Sequence, residues 1–136
     1  MAEVRIKPDT IVMVHGLWMT PRSWEHWKER YEARGYTVHA PAWPGFEVEV
    51  EALNADPTPI EELTVPAIME HLESVVSPIE PAPILMGHSA GGVFTQLLMD
   101  RGYGAAGVAS MNRSFRWWSA ARYIRGDAGQ VRTRRY

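Results

Sequence analysis

One serine in this sequence has the surroundings that a nucleophile requires. Ser89 lies two residues after Gly87 and two residues before Gly91. Three apolar residues, 84–86, precede the motif and predict a short buried strand, and a helix-like run follows it. The glycines allow a sharp turn between strand and helix, so that the hydroxyl stands clear of the backbone. The first helical amides would lie beside it, where they can stabilise negative charge that develops during attack on a carbonyl group.

The segment 87–92, Gly-His-Ser-Ala-Gly-Gly, resembles the nucleophile elbow of the α/β-hydrolase superfamily. A second segment, 15–18 (His-Gly-Leu-Trp), follows an apolar run and resembles the oxyanion loop of that family. The resemblance implies that Ser89 is the nucleophile and that the backbone N–H groups of Leu17 and Ala90 hold the oxyanion. Five residues would support these two motifs: His15, Gly16, Gly87, His88 and Gly91. Each segment also has a plainer interpretation, as a glycine-rich turn with a surface serine or as a turn that ends a strand.

The five histidines are weak candidates for the general base. His88 is adjacent to Ser89, so its side chain is expected to project away from the nucleophile, and the resemblance implies a structural role for His15. The other three predict ordinary, partly exposed side chains: His26, His39 and His71. Trp18 and Trp43 lie on loops that follow strands, where they line either an acyl pocket or the core.

Apolar runs and helical repeats alternate along the chain from residue 10 onwards. Strands are predicted at residues 10–16, 36–40, 84–86 and 105–109, and helices from Thr20-Pro21 to Gly35, at 64–76 and at 91–101. The stretch 46–57 reads as acidic and irregular, and Thr58 to Glu61 reads as another helix start. This order predicts an α/β fold with a partial doubly wound parallel sheet, that is, a truncated α/β-hydrolase fold.

Part of the expected catalytic machinery is missing from the sequence. The chain order in the superfamily is serine, then an acid, then histidine, but no histidine follows Ser89. The acids that follow it are Asp100, within the predicted helix, and Asp127. Four parallel strands are predicted where the resemblance implies eight. We therefore expect residues 1–109 to be the N-terminal half of an α/β-hydrolase domain. Residues 110–136 would be an aberrant, poorly ordered tail, produced by a shifted reading frame or a truncated gene.

The composition is that of an ordinary globular protein, but its charge is unevenly distributed. Residues 1–100 carry 6 basic and 15 acidic residues, whereas residues 101–136 carry 8 arginines and one acid. Such a split can indicate a nucleic-acid arm, but composition alone supports that interpretation and we expect no nucleic-acid partner. The absence of cysteine excludes disulfides and thiolate metal sites, and no metal or cofactor is expected. No apolar run suits a signal peptide or a membrane span, so a cytoplasmic protein is expected. The oligomeric state is left open.

These features predict a serine hydrolase that acts on small carboxylic esters through an acyl-enzyme on Ser89. Peroxidase-type or acyl-transfer chemistry at the same site is a close variant. Activity of this chain should be impaired, because removing the base from a serine triad costs roughly 10⁶-fold in kcat. The alternative is a non-catalytic or degenerate hydrolase relative that acts as a binding or interaction protein.

Overall fold

The computed structural model of the chain describes residues 7–110 and two further strands, 121–125 and 131–134. The strands form one six-stranded sheet. The strands are β1 (Thr10–Val14), β2 (Thr37–His39), β3 (Ile84–His88), β4 (Ala106–Ser110), β5 (Ala121–Arg125) and β6 (Val131–Arg134). Their order across the sheet is β2-β1-β3-β4-β5-β6. The first four strands are parallel, which confirms the predicted sheet, whereas β5 and β6 are antiparallel to their neighbours.

Helices connect the parallel strands. They are a 3₁₀ turn (Pro21–Trp24), α1 (Glu25–Glu32), α2 (Val50–Ala55), α3 (Thr58–Glu61), α4 (Val65–Val76) and α5 (Ala90–Asp100). Thr64 caps α4, because its hydroxyl accepts a hydrogen bond from the Ala67 N–H at 3.3 Å. Thr20, which the Thr-Pro pair predicts as an N-cap, makes no side-chain cap. Its carbonyl instead accepts from the Ser23 N–H at 3.0 Å, which closes the 3₁₀ turn.

The core lies on both faces of β1, whose five residues are all buried. Alternate side chains of a strand point to opposite faces. Ile11 and Met13 therefore pack with Trp24 on the α1 side, and Val12 and Val14 pack on the side of α4 and α5. The cluster around Val12 and Val14 is the larger of the two and also contains Trp43, Phe46, Leu53, Ile68, Met69, Leu72, Val76, Leu85, Phe94 and Leu98. A sheet covered on both faces is the doubly wound arrangement that the unbroken apolar strands predict.

Two local features differ from the sequence-based expectation. The acidic stretch expected to be irregular contains α2, a helix of six residues in which only Leu53 is buried. The helix start at Thr58 predicts that Glu61 reaches back to the cap, but the Asp56 carboxylate takes this place. It accepts hydrogen bonds from the N–H and the hydroxyl of Thr58 at 3.1 and 2.6 Å. These two bonds lower the pKa of Asp56, because both stabilise its charged form.

The arginine-rich tail is described only in part. Within residues 110–136 the structure describes β5 and β6, and β5 occupies the edge of β4, with Ala106 opposite Ile124. The remaining tail residues lie outside the described part of the chain, so the division at residue 109 and the poor order of the tail stay predictions. Among the described residues, no helix is long and apolar enough to cross a bilayer.

Candidate active site

Ser89 lies at the junction of β3 and α5 and has an unusual backbone. Its φ and ψ angles are 55° and −123°, and it is the one non-glycine residue with positive φ among those that the structure describes. Such a conformation costs about 1–3 kcal/mol and persists only where surrounding contacts impose it. Two hydrogen bonds do so here: the Ser89 N–H donates to the Ser110 carbonyl at 2.7 Å, and the Ser89 carbonyl accepts from the Gly92 N–H at 2.9 Å.

The glycines on either side of Ser89 are required by close packing. A Cβ atom on Gly87 would overlap the Gly91 carbonyl oxygen and the Thr95 hydroxyl. A Cβ atom on Gly91 would overlap the carbonyl oxygens of Val14 and His15, where β1 ends. The Thr95 hydroxyl donates to the Gly91 carbonyl at 2.9 Å and closes the contact from the helix side. The spacing of the motif therefore reflects two backbone crossings that leave no room for a side chain.

The segment 15–18 lies beside Ser89, as an oxyanion loop would. A Cβ atom built on Gly16 would be 3.4 Å from both the Ser89 Cβ and the His88 carbonyl oxygen, so Gly16 is in direct contact with the turn. The Gly16 carbonyl accepts a hydrogen bond from the Met19 N–H at 3.2 Å, which bends the loop after β1. Leu17 and Trp18 follow and are 37% and 67% exposed, so the outer side of the loop is open.

Two main-chain amides belong to the segments that meet at Ser89, namely α5 and the loop after β1. Ala90 is the first residue of α5, so its N–H has no partner within the helix. Among the described residues, neither the Ala90 N–H nor the Leu17 N–H donates to a backbone carbonyl. A helix N-terminus also carries partial positive charge, which favours anions. The chemistry that this arrangement suits is stabilisation of an oxyanion next to Ser89.

His15 is enclosed in the core and holds two parts of the chain together. Its side chain has no solvent exposure, and its ring stacks on Trp43 with centroids 4.6 Å apart. Its Nδ1 lies 2.8 Å from the Gly16 carbonyl oxygen, and its Nε2 accepts a hydrogen bond from the main-chain N–H of Trp43 at 3.2 Å. Burial lowers the pKa of His15, an effect that the hydrogen bond to Gly16 only partly opposes. A neutral, fully engaged ring is poorly suited to act as a base for Ser89.

Trp43 belongs to the core and does not line an open pocket. It is fully buried, and it packs against Phe46 and edge-on against Phe94 of α5, with ring centroids 5.4 and 5.2 Å apart. Trp18, by contrast, borders an open depression beside Arg22 and Glu49, whose side chains form an ion pair at 2.9 Å. Of the two tryptophans considered for a pocket, only Trp18 is therefore placed to contact a ligand.

The remaining candidate residues do not meet Ser89. His88 is half-buried and faces the α1 side of the sheet, where it borders a cavity of about 310 Å³ together with Met19, Ser23, Trp24, Trp27, Met86, Gly87, Val108 and Ser110. His26 and His39 are exposed, and Asp100 is exposed at the far end of α5. Asp127 lies outside the described residues. Among residues 7–110, no histidine or acid hydrogen-bonds to Ser89, and no cluster of three or more potential ligands could hold a metal.

The sequence matches the model of the alpha/beta hydrolase family over residues 11–135. The chain belongs to the alpha/beta hydrolase family. That match covers the described elements except the first residue of β1, and it includes the turn at Ser89 and the segment 15–18. No curated protein sequence matches the chain.

Solved structures show the same alpha/beta hydrolase fold. The chain is similar to an extracellular alpha/beta-hydrolase from a Paenibacillus species, described as sharing structural and functional homology with tobacco salicylic acid binding protein 2 (24% identity, TM-score 0.55). It is also similar to the pyrethroid hydrolase PytH (22% identity, TM-score 0.58) and to polyneuridine aldehyde esterase (22% identity, TM-score 0.56). These matches cover 70%, 74% and 74% of this chain but only 36%, 39% and 39% of the respective structures. The chain thus spans less than half the length of the structures that it resembles.

Sequence reasoning did not find three contributors to the site. Thr95 could have been found, because it lies four residues after Gly91, where a helical threonine can bond to the carbonyl of the preceding turn. The Ser110 carbonyl and the Trp43 N–H act through the main chain, so their residue types give no signal. Their roles follow only from the sheet order and from the path of the loop after β2.

Proposed function

We propose that this chain carries the nucleophile and the oxyanion site of a serine hydrolase whose substrates are small carboxylic esters. The backbone conformation of Ser89 carries the proposal, because a strained serine between a parallel strand and a helix is what a nucleophile elbow requires. Membership of the alpha/beta hydrolase family supports hydrolysis as the reaction class. Two structures similar to this chain are named as an esterase and a pyrethroid hydrolase, which is consistent with this reaction class.

The proposed reaction proceeds in two steps. The Ser89 Oγ attacks the ester carbonyl carbon, and the carbonyl oxygen becomes an oxyanion that accepts hydrogen bonds from the Leu17 and Ala90 amides. The carbon–oxygen bond to the alcohol then breaks, the alcohol leaves with the proton that Ser89 gave up, and an acyl ester remains on Ser89. Water attacks this ester, which releases the carboxylic acid and restores the hydroxyl.

Proton transfer is the step for which the described residues offer no partner. Because no histidine among them hydrogen-bonds to Ser89, we propose that water or an added base accepts the serine proton. Loss of the base costs roughly 10⁶-fold in kcat, while an oxyanion site and binding alone retain roughly 10³–10⁴-fold over water. We therefore expect slow acylation by activated esters and even slower release of the acyl group.

The proposal is tested with p-nitrophenyl acetate and with a fluorophosphonate probe. Wild-type protein should release about one equivalent of p-nitrophenolate slowly and then stop, since the described residues place no base at Ser89 for acylation or deacylation. Mass spectrometry should place the acetyl or phosphonyl group on the peptide that contains Ser89. Ser89→Ala, shown to be folded by circular dichroism, is the matched control and should remain unmodified. Imidazole itself hydrolyses p-nitrophenyl acetate, so its effect is measured with the fluorophosphonate probe. It should accelerate labelling of wild type and leave Ser89→Ala unlabelled, because it accepts the proton that Ser89 gives up. Equal modification of both proteins would contradict the proposal.

The alternative is a non-catalytic relative that binds a ligand at the same place. The lack of a hydrogen-bonded base at Ser89 among residues 7–110 favours it. This alternative expects no covalent labelling, with or without imidazole, but retention of an ester or carboxylate ligand that is lost when the loop after β1 is altered. The cytoplasmic location, the small-molecule partner and the absence of nucleic-acid and membrane partners stay predictions.

A further inference from the structure

The hydrogen bonds of His15 determine which of its ring nitrogens carries the proton. Nε2 accepts the Trp43 N–H at 3.2 Å, so Nε2 must present a lone pair. Nδ1 lies 2.8 Å from the Gly16 carbonyl oxygen, which can only accept, so Nδ1 must present a proton. The ring is therefore the neutral Nδ1–H tautomer. A charged ring would turn Nε2 into a second donor that faces the Trp43 N–H, and burial against the indole opposes such a charge.

This tautomer fixes the orientation of one peptide group in the loop beside Ser89. The Gly16 carbonyl is held by the His15 Nδ1–H and by the Met19 N–H at 3.2 Å. In a trans peptide group the C=O and the following N–H point in opposite directions. Holding the Gly16 carbonyl in this way therefore directs the Leu17 N–H away from His15 and Met19. Gly16 itself contacts the turn at Ser89, so the freed N–H belongs to a loop that borders the nucleophile.

We propose that His15 is a positioning residue that connects the Trp43 loop to the Leu17 amide and keeps this amide aimed at the oxyanion. The inference rests on the proposed function, since it assigns the device that orients one of its two donors. The inference also assigns a role to the aromatic rings that pack around Trp43. Trp43 contacts both His15, at the start of the loop after β1, and Phe94, in the helix that carries Ala90. The loop and the helix therefore pack against the same buried ring.

Two substitutions separate positioning from packing. In His15→Asn the side-chain amide nitrogen occupies the Nδ1 position, two bonds from Cβ, so it can still donate to the Gly16 carbonyl. In His15→Gln the amide oxygen reaches the Nε2 position and can still accept from Trp43, but the donor to Gly16 is lost. Each variant loses one hydrogen bond and the stacked ring, so each should lose a similar amount of stability. A purely structural role thus predicts equal effects of the two substitutions on Ser89.

The first readout is the rate of fluorophosphonate labelling of Ser89. We expect His15→Asn to stay within about threefold of wild type and His15→Gln to be slower by about tenfold or more, since loss of one oxyanion donor costs 10²–10³-fold. The loss should lie in the maximal labelling rate and leave the half-saturating probe concentration unchanged. Equal labelling of the two variants would overturn the positioning role.

The second readout does not require a reactive serine. Nitrogen-15 NMR of the wild-type ring at neutral pH should show the neutral Nδ1–H form, and a protonated Nε2 or a charged ring would overturn the inference. The Leu17 amide resonance should move in His15→Gln and remain near its wild-type position in His15→Asn, and the reverse pattern would also overturn it. If wild-type Ser89 is never labelled, the proposed ester chemistry fails, while these spectra still decide whether His15 orients the Leu17 amide.

Discussion

Alanine at Gly91 and alanine at Gly92 should have very different effects on stability, although the two residues are neighbours in α5 and both are buried. At Gly91 a Cβ atom would overlap the carbonyl oxygens of Val14 and His15, which belong to the end of a fully buried strand. At Gly92 it would lie 3.4 Å from the Ala109 Cβ and from the Gly87 carbonyl oxygen, close to ordinary contact distance. The pair thus compares the same change at a position where a Cβ atom overlaps backbone and at a buried position where it makes near-ordinary contacts.

The size of the difference follows from two opposing terms. Replacing glycine by alanine within a helix stabilises it by about 0.5–1 kcal/mol, and this term is the same at both positions. Forcing an atom into a well-packed interior costs typically 1–3 kcal/mol. The Gly91 overlap involves backbone that cannot move without shifting β1, so its cost should be at or above the upper limit. We expect the free energy of unfolding of Gly91→Ala to be about 3 kcal/mol lower than that of Gly92→Ala. This corresponds to about 10²-fold in the ratio of folded to unfolded protein.

The assay is urea unfolding followed by tryptophan fluorescence and far-ultraviolet circular dichroism. The slope with denaturant must be the same in both variants for the comparison to hold. Gly92→Ala should stay within about 1 kcal/mol of wild type. If the two variants differ by less than about 0.5 kcal/mol, the close crossing of β1 and α5 is wrong, because additivity errors alone reach that size.

Three further measurements test the same region. Ser89→Gly should raise the free energy of unfolding in urea by about 1–2 kcal/mol, because glycine adopts positive φ without strain, and no gain would argue against strain. The same variant should not be labelled, because it lacks the hydroxyl. Thr95→Val should cost about 1 kcal/mol through loss of the hydrogen bond to Gly91, whereas Thr95→Ser should cost less, and a reversed order would contradict this assignment. Because burial lowers the pKa of His15 from its ordinary value of 6.5, the unfolded chain takes up this proton at higher pH than the folded chain. The stability from His15 is therefore complete above pH 6.5 and is lost as the pH falls towards the folded-state pKa, and His15→Gln should remove this component from the pH dependence of unfolding.

The parallel sheet and the turn at Ser89 could be predicted because their signals are local. An unbroken run of β-branched and apolar residues requires burial on both faces, which fixes β1 as an inner strand. Glycines at a spacing of four residues around Ser89 report two backbone crossings within one segment. In both cases the residues that carry the signal are the ones that make the contact.

The features that sequence could not give depend on partners far along the chain. His15 and Trp43 are 28 residues apart, and neither residue type indicates that a main-chain N–H of one bonds to the ring of the other. The sequence pattern does not predict the helix α2, because this helix is short and buries one side chain, Leu53. One buried side chain is too little to produce a helical period. The strands β5 and β6 lie in a tail whose overall composition suggested no regular structure, although Val-Arg-Thr-Arg in β6 alternates as an exposed strand does.

Among the described residues, the contacts that impose the conformation of Ser89 come from positions 14–110, namely the β1 end, the Gly92 amide, the Thr95 hydroxyl and the Ser110 carbonyl. A strain of about 1–3 kcal/mol is of the same size as two or three net hydrogen bonds, so these contacts are sufficient to hold the turn without a catalytic histidine. For Ser89 as the proposed nucleophile, presentation of the hydroxyl and transfer of its proton are therefore separable. The first depends on strands that this chain possesses, and the second depends on groups that the described residues lack. Weak turnover by this protein would accordingly reflect missing proton transfer rather than a collapsed site, which is why an external base, and not a change in the turn, should restore the chemistry.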